Sequence, residues 1–103
     1  VEIIYSHSKI TDFIENLNAD IAFRVYNTID MLEIEGNNLR MPHSKALGKG
    51  LFELRVIGST HIRIIYEYHN KQALLLNIFF KKTWLIPKKE IEYAQNILIK
   101  FLA

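Results

Sequence analysis

The chain has no cysteine, so disulfides and thiolate metal sites are excluded, in keeping with a reducing cytosol. Its four histidines are scattered without ligand-like spacing, which leaves no sequence case for a metal centre or other cofactor. No apolar run approaches the ~20 residues that span a bilayer, and no basic segment followed by a signal-type apolar core opens the chain. The expectation is a soluble cytoplasmic protein with no membrane partner. An excess of charge of one sign is also lacking: 13 Lys and Arg against 11 Asp and Glu leave a formal +2, far from a polycation. Any contact with a polyanion must therefore depend on where the cations sit. No repeat, low-complexity tract or second domain boundary is visible, so residues 1–103 are read as one domain, long enough for a single core.

What is present is pattern. Half of the residues are hydrophobic, the globular norm, and in Leu51–Ile57, His61–Tyr68 and Ala73–Thr83 they alternate with sparse charged ones. A strand points successive side chains to opposite faces. Phe52, Leu54 and Val56 then share a face, and Ile62, Ile64, Tyr66 and Leu74, Leu76, Ile78, Phe80 form matching apolar rows. The opposite face carries Glu53 and Arg55, then His61, Arg63 and Glu67, then Asn77 and Lys81. That face is polar, partly cationic, and suited to an anionic ligand.

Around these strands, Val1–Tyr5 is a short β-prone run. Phe13, Ile14 and Leu17 have helical spacing within Ile10–Leu17, and Ile21, Val25, Ile29 and Leu32 form one stripe from a cap at Asn18 or Asp20 to the stop at Gly36. Two helices in a hairpin are expected. Asn37–Gly50 reads as a loop with a short strand near Leu39–Met41. Gly58-Ser59 and Asn70-Lys71 are hairpin turns. Pro87 suits the first turn of a last helix whose apolar face is Ile91, Ala94, Ile97, Leu98 and Phe101. The class is α+β: a small antiparallel sheet with the N-terminal helix hairpin and the C-terminal helix packed on one face.

The run Pro42–Arg55 (PHSKALGKGLFELR), the run Arg63-Ile64-Ile65-Tyr66, and Phe80-Lys81-Lys82-Thr83 with Pro87 and Glu90-Ile91 resemble the RelE/ParE toxin superfamily, most closely its phage-derived, HigB-like branch. The resemblance covers nearly the whole chain. It implies a RelE-like fold and the toxin of a type II toxin–antitoxin pair, in many members a ribosome-dependent endoribonuclease that cuts mRNA during translation. It further implies a cognate antitoxin as partner, often a helix-turn-helix protein.

Metal-independent RNA cleavage needs a base for the ribose 2′-hydroxyl, cations for the charge growing on the phosphate, and an acid for the leaving 5′-oxygen. By the resemblance Arg63 is the catalytic arginine, and its planar fork can hold two phosphate oxygens. Arg55, on the same face, is a second candidate for binding phosphate, or else it simply orients Glu53. A basic residue is implied at the end of the last strand, where alignment favours Lys82 and alternation favours Lys81. Some relatives carry paired lysines where this chain has Leu51 and Glu53. Glu53 is then either a general base or the structural partner of a neighbouring arginine. His43 and His61 are the candidates for the unassigned acid, since histidine titrates near neutral pH. Together with Lys45 and Lys49 they also extend the positive patch for RNA or ribosome contact. Trp84 has two readings, a stacking platform for a base or a residue packed under the last helix or a partner. The alternatives to a nuclease are a ParE-like poison of DNA gyrase and a non-catalytic regulatory binding module.

Overall fold

The computed structural model describes residues 1–56, 58 and 61–103. Ile57, Ser59 and Thr60 are not among them, so the turn expected at Gly58-Ser59 lies partly outside the described residues. Strand β1 (Glu2–Tyr5) leads into helices α1 (Ser8–Glu15) and α2 (Ala19–Glu35), as the spacing requires. The Asn18 side chain caps α2 by accepting the Ile21 N–H at 3.0 Å. Gly36 stops it at φ +54°, where a Cβ would stand 2.6 Å from a Val1 methyl.

Four more strands follow: β2 (Ser44–Gly48), β3 (Leu51–Arg55), β4 (Ile62–His69) and β5 (Gln72–Phe80), before helix α3 (Lys88–Leu102). The short strand expected near Leu39–Met41 is instead β2. Arg40 already belongs to a turn, its carbonyl accepting the His43 and Ser44 N–H groups at 3.0 and 3.2 Å. Asn70 and Lys71 make the β4–β5 turn with φ of 49° and 60°, the left-handed pair that a tight hairpin needs.

The strand order is β1-β5-β4-β3-β2. The α+β class expected from the sequence stands, with two particulars corrected. The sheet is mixed, because β1 pairs parallel with β5, a pairing that requires a long connection rather than a hairpin. The helices also occupy both faces instead of one. Ile10 and Ile14 of α1 and Val25, Ile29 and Leu32 of α2 pack with Leu54, Ile62, Ile64, Tyr66 and Leu75. Ala94, Ile91, Ile97 and Leu98 of α3 pack with Leu51, Ile65, Leu74, Leu76 and Phe79. The physical reason is the unbroken burial of Ala73–Phe79, a strand covered on both sides rather than alternating.

A β-bulge completes the correction. Ile65 pairs with Asn77 and Tyr66 with Leu75, leaving Leu76 extra. The alternation therefore slips by one residue. Leu74 and Leu76 face α3, whereas Ile78 packs in the α1–α2 core and Phe80 rests on Phe13 of α1, ring centroids 5.0 Å apart. The single row expected for these four residues is split between faces.

Candidate anion-binding cleft

Glu53, in the middle of β3, is 1 % exposed, and a carboxylate that deeply buried requires partners. Three cations supply them. Arg55 donates from Nε to one carboxylate oxygen at 2.7 Å. The Arg63 Nε and Lys81 Nζ lie 3.8 and 3.9 Å from the other oxygen. Neighbouring strands create the arrangement: Arg55 and Arg63 are directly opposite each other across β3 and β4, and Lys81 N–H bonds the His61 carbonyl just beyond their ends.

Like charges placed opposite each other on adjacent strands destabilise a sheet. One carboxylate cannot neutralise three cations, and the four side chains retain an excess of positive charge. Two groups are also left with unused bonding capacity: Glu53 Oε2 and Arg63 Nε are buried with no hydrogen-bond partner among the described residues. Burial lowers the Arg63 pKa; Glu53 opposes this and Arg55 adds to it. Burial likewise lowers that of Lys81, opposed by Glu53 and reinforced by Arg63, Arg55 and Lys45. Such under-compensation is costly to stability and useful for holding an anion.

The cations open onto a cleft of about 490 Å³ lined by Arg55, His61, Arg63, Lys81, Lys82, Thr83 and Trp84. Its volume lies within the range of ligand sites, but its lining is cationic where most such sites are apolar. The structure thus brings together Arg55, Arg63, Lys81, Lys82 and His61. Between the two lysines, the alternation argument selects Lys81 as the inward one: its side chain is 12 % exposed, whereas Lys82 is exposed at the rim.

Glu53 does not line the cleft. It lies beneath, in contact with the three cations, and this geometry favours the structural role over the general base. Lys45 is opposite Glu53 on β2, close enough for its charge to act on Lys81. His43 accepts the Arg55 N–H through its carbonyl at 2.8 Å but is not among the residues lining the cleft. Lys49 sits in the β2–β3 turn at φ 56°, also outside the lining.

Two further residues complete the cleft. Trp84 is 96 % exposed, not packed under the last helix. Thr83 lines the cleft and shapes the turn, its Oγ1 donating to the Leu85 carbonyl at 2.6 Å; only its position between Lys82 and Trp84 signalled it. Among the described residues, no group of three or more His, Asp or Glu could hold a metal ion, and no helix is long and apolar enough to cross a membrane.

Fold and site together define a small α+β protein with a cation-lined cleft at one end of its sheet. Residues 12–98 match the family described as phage derived protein Gp49-like (DUF891). The chain belongs to that family. Among curated proteins no match is found.

Proposed function

We propose that this Gp49-like protein is the toxin of a type II toxin–antitoxin pair, related to the HigB-like branch of the RelE/ParE superfamily, and that it cuts mRNA on the ribosome in the cytoplasm. The observation that carries the reading is the set of three cations gathered around one buried carboxylate at the floor of an open cleft. The family match and the α+β fold support it.

In the proposed reaction the ribose 2′-oxygen attacks the adjacent phosphorus and the bond from phosphorus to the 5′-oxygen breaks, leaving a cyclic phosphate and a free 5′-hydroxyl. Arg63 and Arg55 hold the non-bridging oxygens and stabilise the negative charge as it grows. Glu53 positions both arginines without touching the RNA. Lys81 gives a proton to the departing 5′-oxygen, a role suited to an ammonium that burial and neighbouring cations make more acidic. His61, at the cleft wall, accepts the 2′-hydroxyl proton. Lys82 and Lys45 contribute positive charge toward the flanking phosphates, and a helix-turn-helix antitoxin is the expected partner.

The test is mapping of new mRNA 5′ ends in a purified translation system, with and without ribosomes, for the wild type and Arg63→Ala. Ends that require ribosomes and vanish in the variant are expected. Intact mRNA at high protein concentration would overturn the nuclease reading, and inhibition of gyrase supercoiling by the same sample would replace it with a ParE-like one.

A further inference from the structure

The lone tryptophan of the chain is, among the described residues, the most exposed large apolar side chain, at 96 %. An indole left in water forgoes one of the largest hydrophobic gains available to any residue. Its surroundings are cationic: Lys81, Lys82, Thr83 and Trp84, consecutive in the chain, line the same cleft as Arg55 and Arg63. The neighbouring Leu85 is also exposed, at 78 %, but does not line the cleft. The indole therefore belongs with the anion site rather than with a general apolar patch.

Chain geometry sets the scale. Trp84 is three residues from Lys81, so the two Cα atoms are at most about 11 Å apart, within the reach of a single nucleotide's phosphate and base. Cations that track the backbone, beside an aromatic face on which a base can lie, are the elements of single-stranded nucleic-acid binding.

We infer that Trp84 is a stacking platform for an unpaired base next to the phosphate held by Arg55, Arg63 and Lys81, making the cleft a site for single-stranded and not duplex nucleic acid. This rests on the proposed action on RNA for its biological setting, but the binding it describes is measurable without cleavage. Every base offers a π-face, so the platform selects strandedness far more than sequence.

Because the chain has one tryptophan beside five tyrosines, fluorescence excited at the red edge of the indole band, where tyrosine does not absorb, reports this position alone. The probe is a ten-nucleotide 2′-O-methyl oligoadenylate, which lacks the attacking hydroxyl, compared with a blunt 2′-O-methyl duplex of equal length. Saturable quenching by the single strand and little by the duplex is expected. Trp84→Ala should weaken binding of the fluorescein-labelled oligonucleotide, read by anisotropy, by about 5- to 140-fold, the range that base–aromatic stacking implies. Trp84→Phe should recover most of the affinity. An exposed side chain contributes little to the core, so both variants should fold; circular dichroism checks this.

Unchanged affinity in Trp84→Ala, or equal quenching by duplex and single strand, would overturn the platform, and would point to Trp84 as a protein-docking residue. The two readings fail separately. Quenching in a protein that never cuts mRNA would sustain the platform and sink the nuclease, whereas ribosome-dependent cuts with unaltered oligonucleotide affinity in Trp84→Ala would do the reverse.

Discussion

Two buried polar sites in the same sheet are built on opposite principles. On the face covered by α1 and α2, Ser44 Oγ and Tyr66 Oη bond each other at 2.6 Å, and apolar side chains surround them. On the other face, Glu53 meets three cations of which only Arg55 hydrogen-bonds to it. The first is a neutral pair with its needs met. The second carries unneutralised charge and opens to a cleft. Alternate residues of β3 and β4 feed both, so the strands cannot explain the contrast. What differs is coverage: α3 packs over Leu51, Ile65, Leu74 and Leu76 and leaves the Arg55–Arg63 end of that face bare.

The largest expected effect comes from removing the carboxylate. Glu53→Ala leaves three clustered cations with no counter-charge and should cost about 3–5 kcal/mol of stability, the range for breaking a buried ion pair. Its urea midpoint should recover partly in phosphate buffer, because an anion in the cleft replaces the lost charge. A variant as stable as the wild type would mean that Glu53 does not organise the cluster.

Arg63→Ala should separate function from stability. Losing one of three repelling cations should change the midpoint little. In the proposed mechanism it also removes a donor to the reacting phosphate, which should lower the cleavage rate by about 10²- to 10³-fold. On the opposite face Ser44→Ala should cost about 1–3 kcal/mol by stranding the buried Tyr66 hydroxyl, with the rate per folded molecule unchanged.

Much of this contrast was legible in the sequence. The helical stripes, the turn at Asn70-Lys71 and the placement of Arg55, Arg63 and Lys81 on one face of the sheet follow from period and chain order alone. The position of α3 did not, because Ala73–Leu76 is apolar without interruption and such a run does not announce which neighbours cover it. The bulge at Leu76 was equally hidden, since an extra residue in a run of leucines leaves no break in the pattern. The depth of Glu53 was unreadable for another reason: a charged residue in an alternating strand looks solvent-facing until its neighbours close over it. Trp84 stayed between two readings because an indole beside Leu85 and Ile86 looks like core, and only its exposure removes packing under the last helix.

The smallest effect is on pH dependence, and the two sites should differ in sign. Burial raises the Tyr66 pKa above its ordinary 10.0, against the lowering by the Ser44 hydrogen bond and Arg40. Above pH 10 the unfolded chain therefore loses this proton before the native one, and stability falls as pH rises. Lys81 is lowered below its ordinary 10.5, so between its folded and ordinary values the unfolded chain holds more protons and stability rises with pH. Urea midpoints measured from pH 8 to 11 should show the fall flattened in Tyr66→Phe and the rise flattened in Lys81→Met. Identical profiles in the three proteins would remove the contrast.

The most direct test of the cleft as the reacting centre is ribosome-dependent cleavage measured for Arg55→Ala, Arg63→Ala and Lys81→Ala beside Leu54→Ala, a core control that carries no charge. The account predicts a loss of cutting in each of the three cation variants beyond any loss of folded protein, with Leu54→Ala cutting in proportion to its folded fraction. Cleavage that tracks stability across all four, indifferent to the cations, would contradict it.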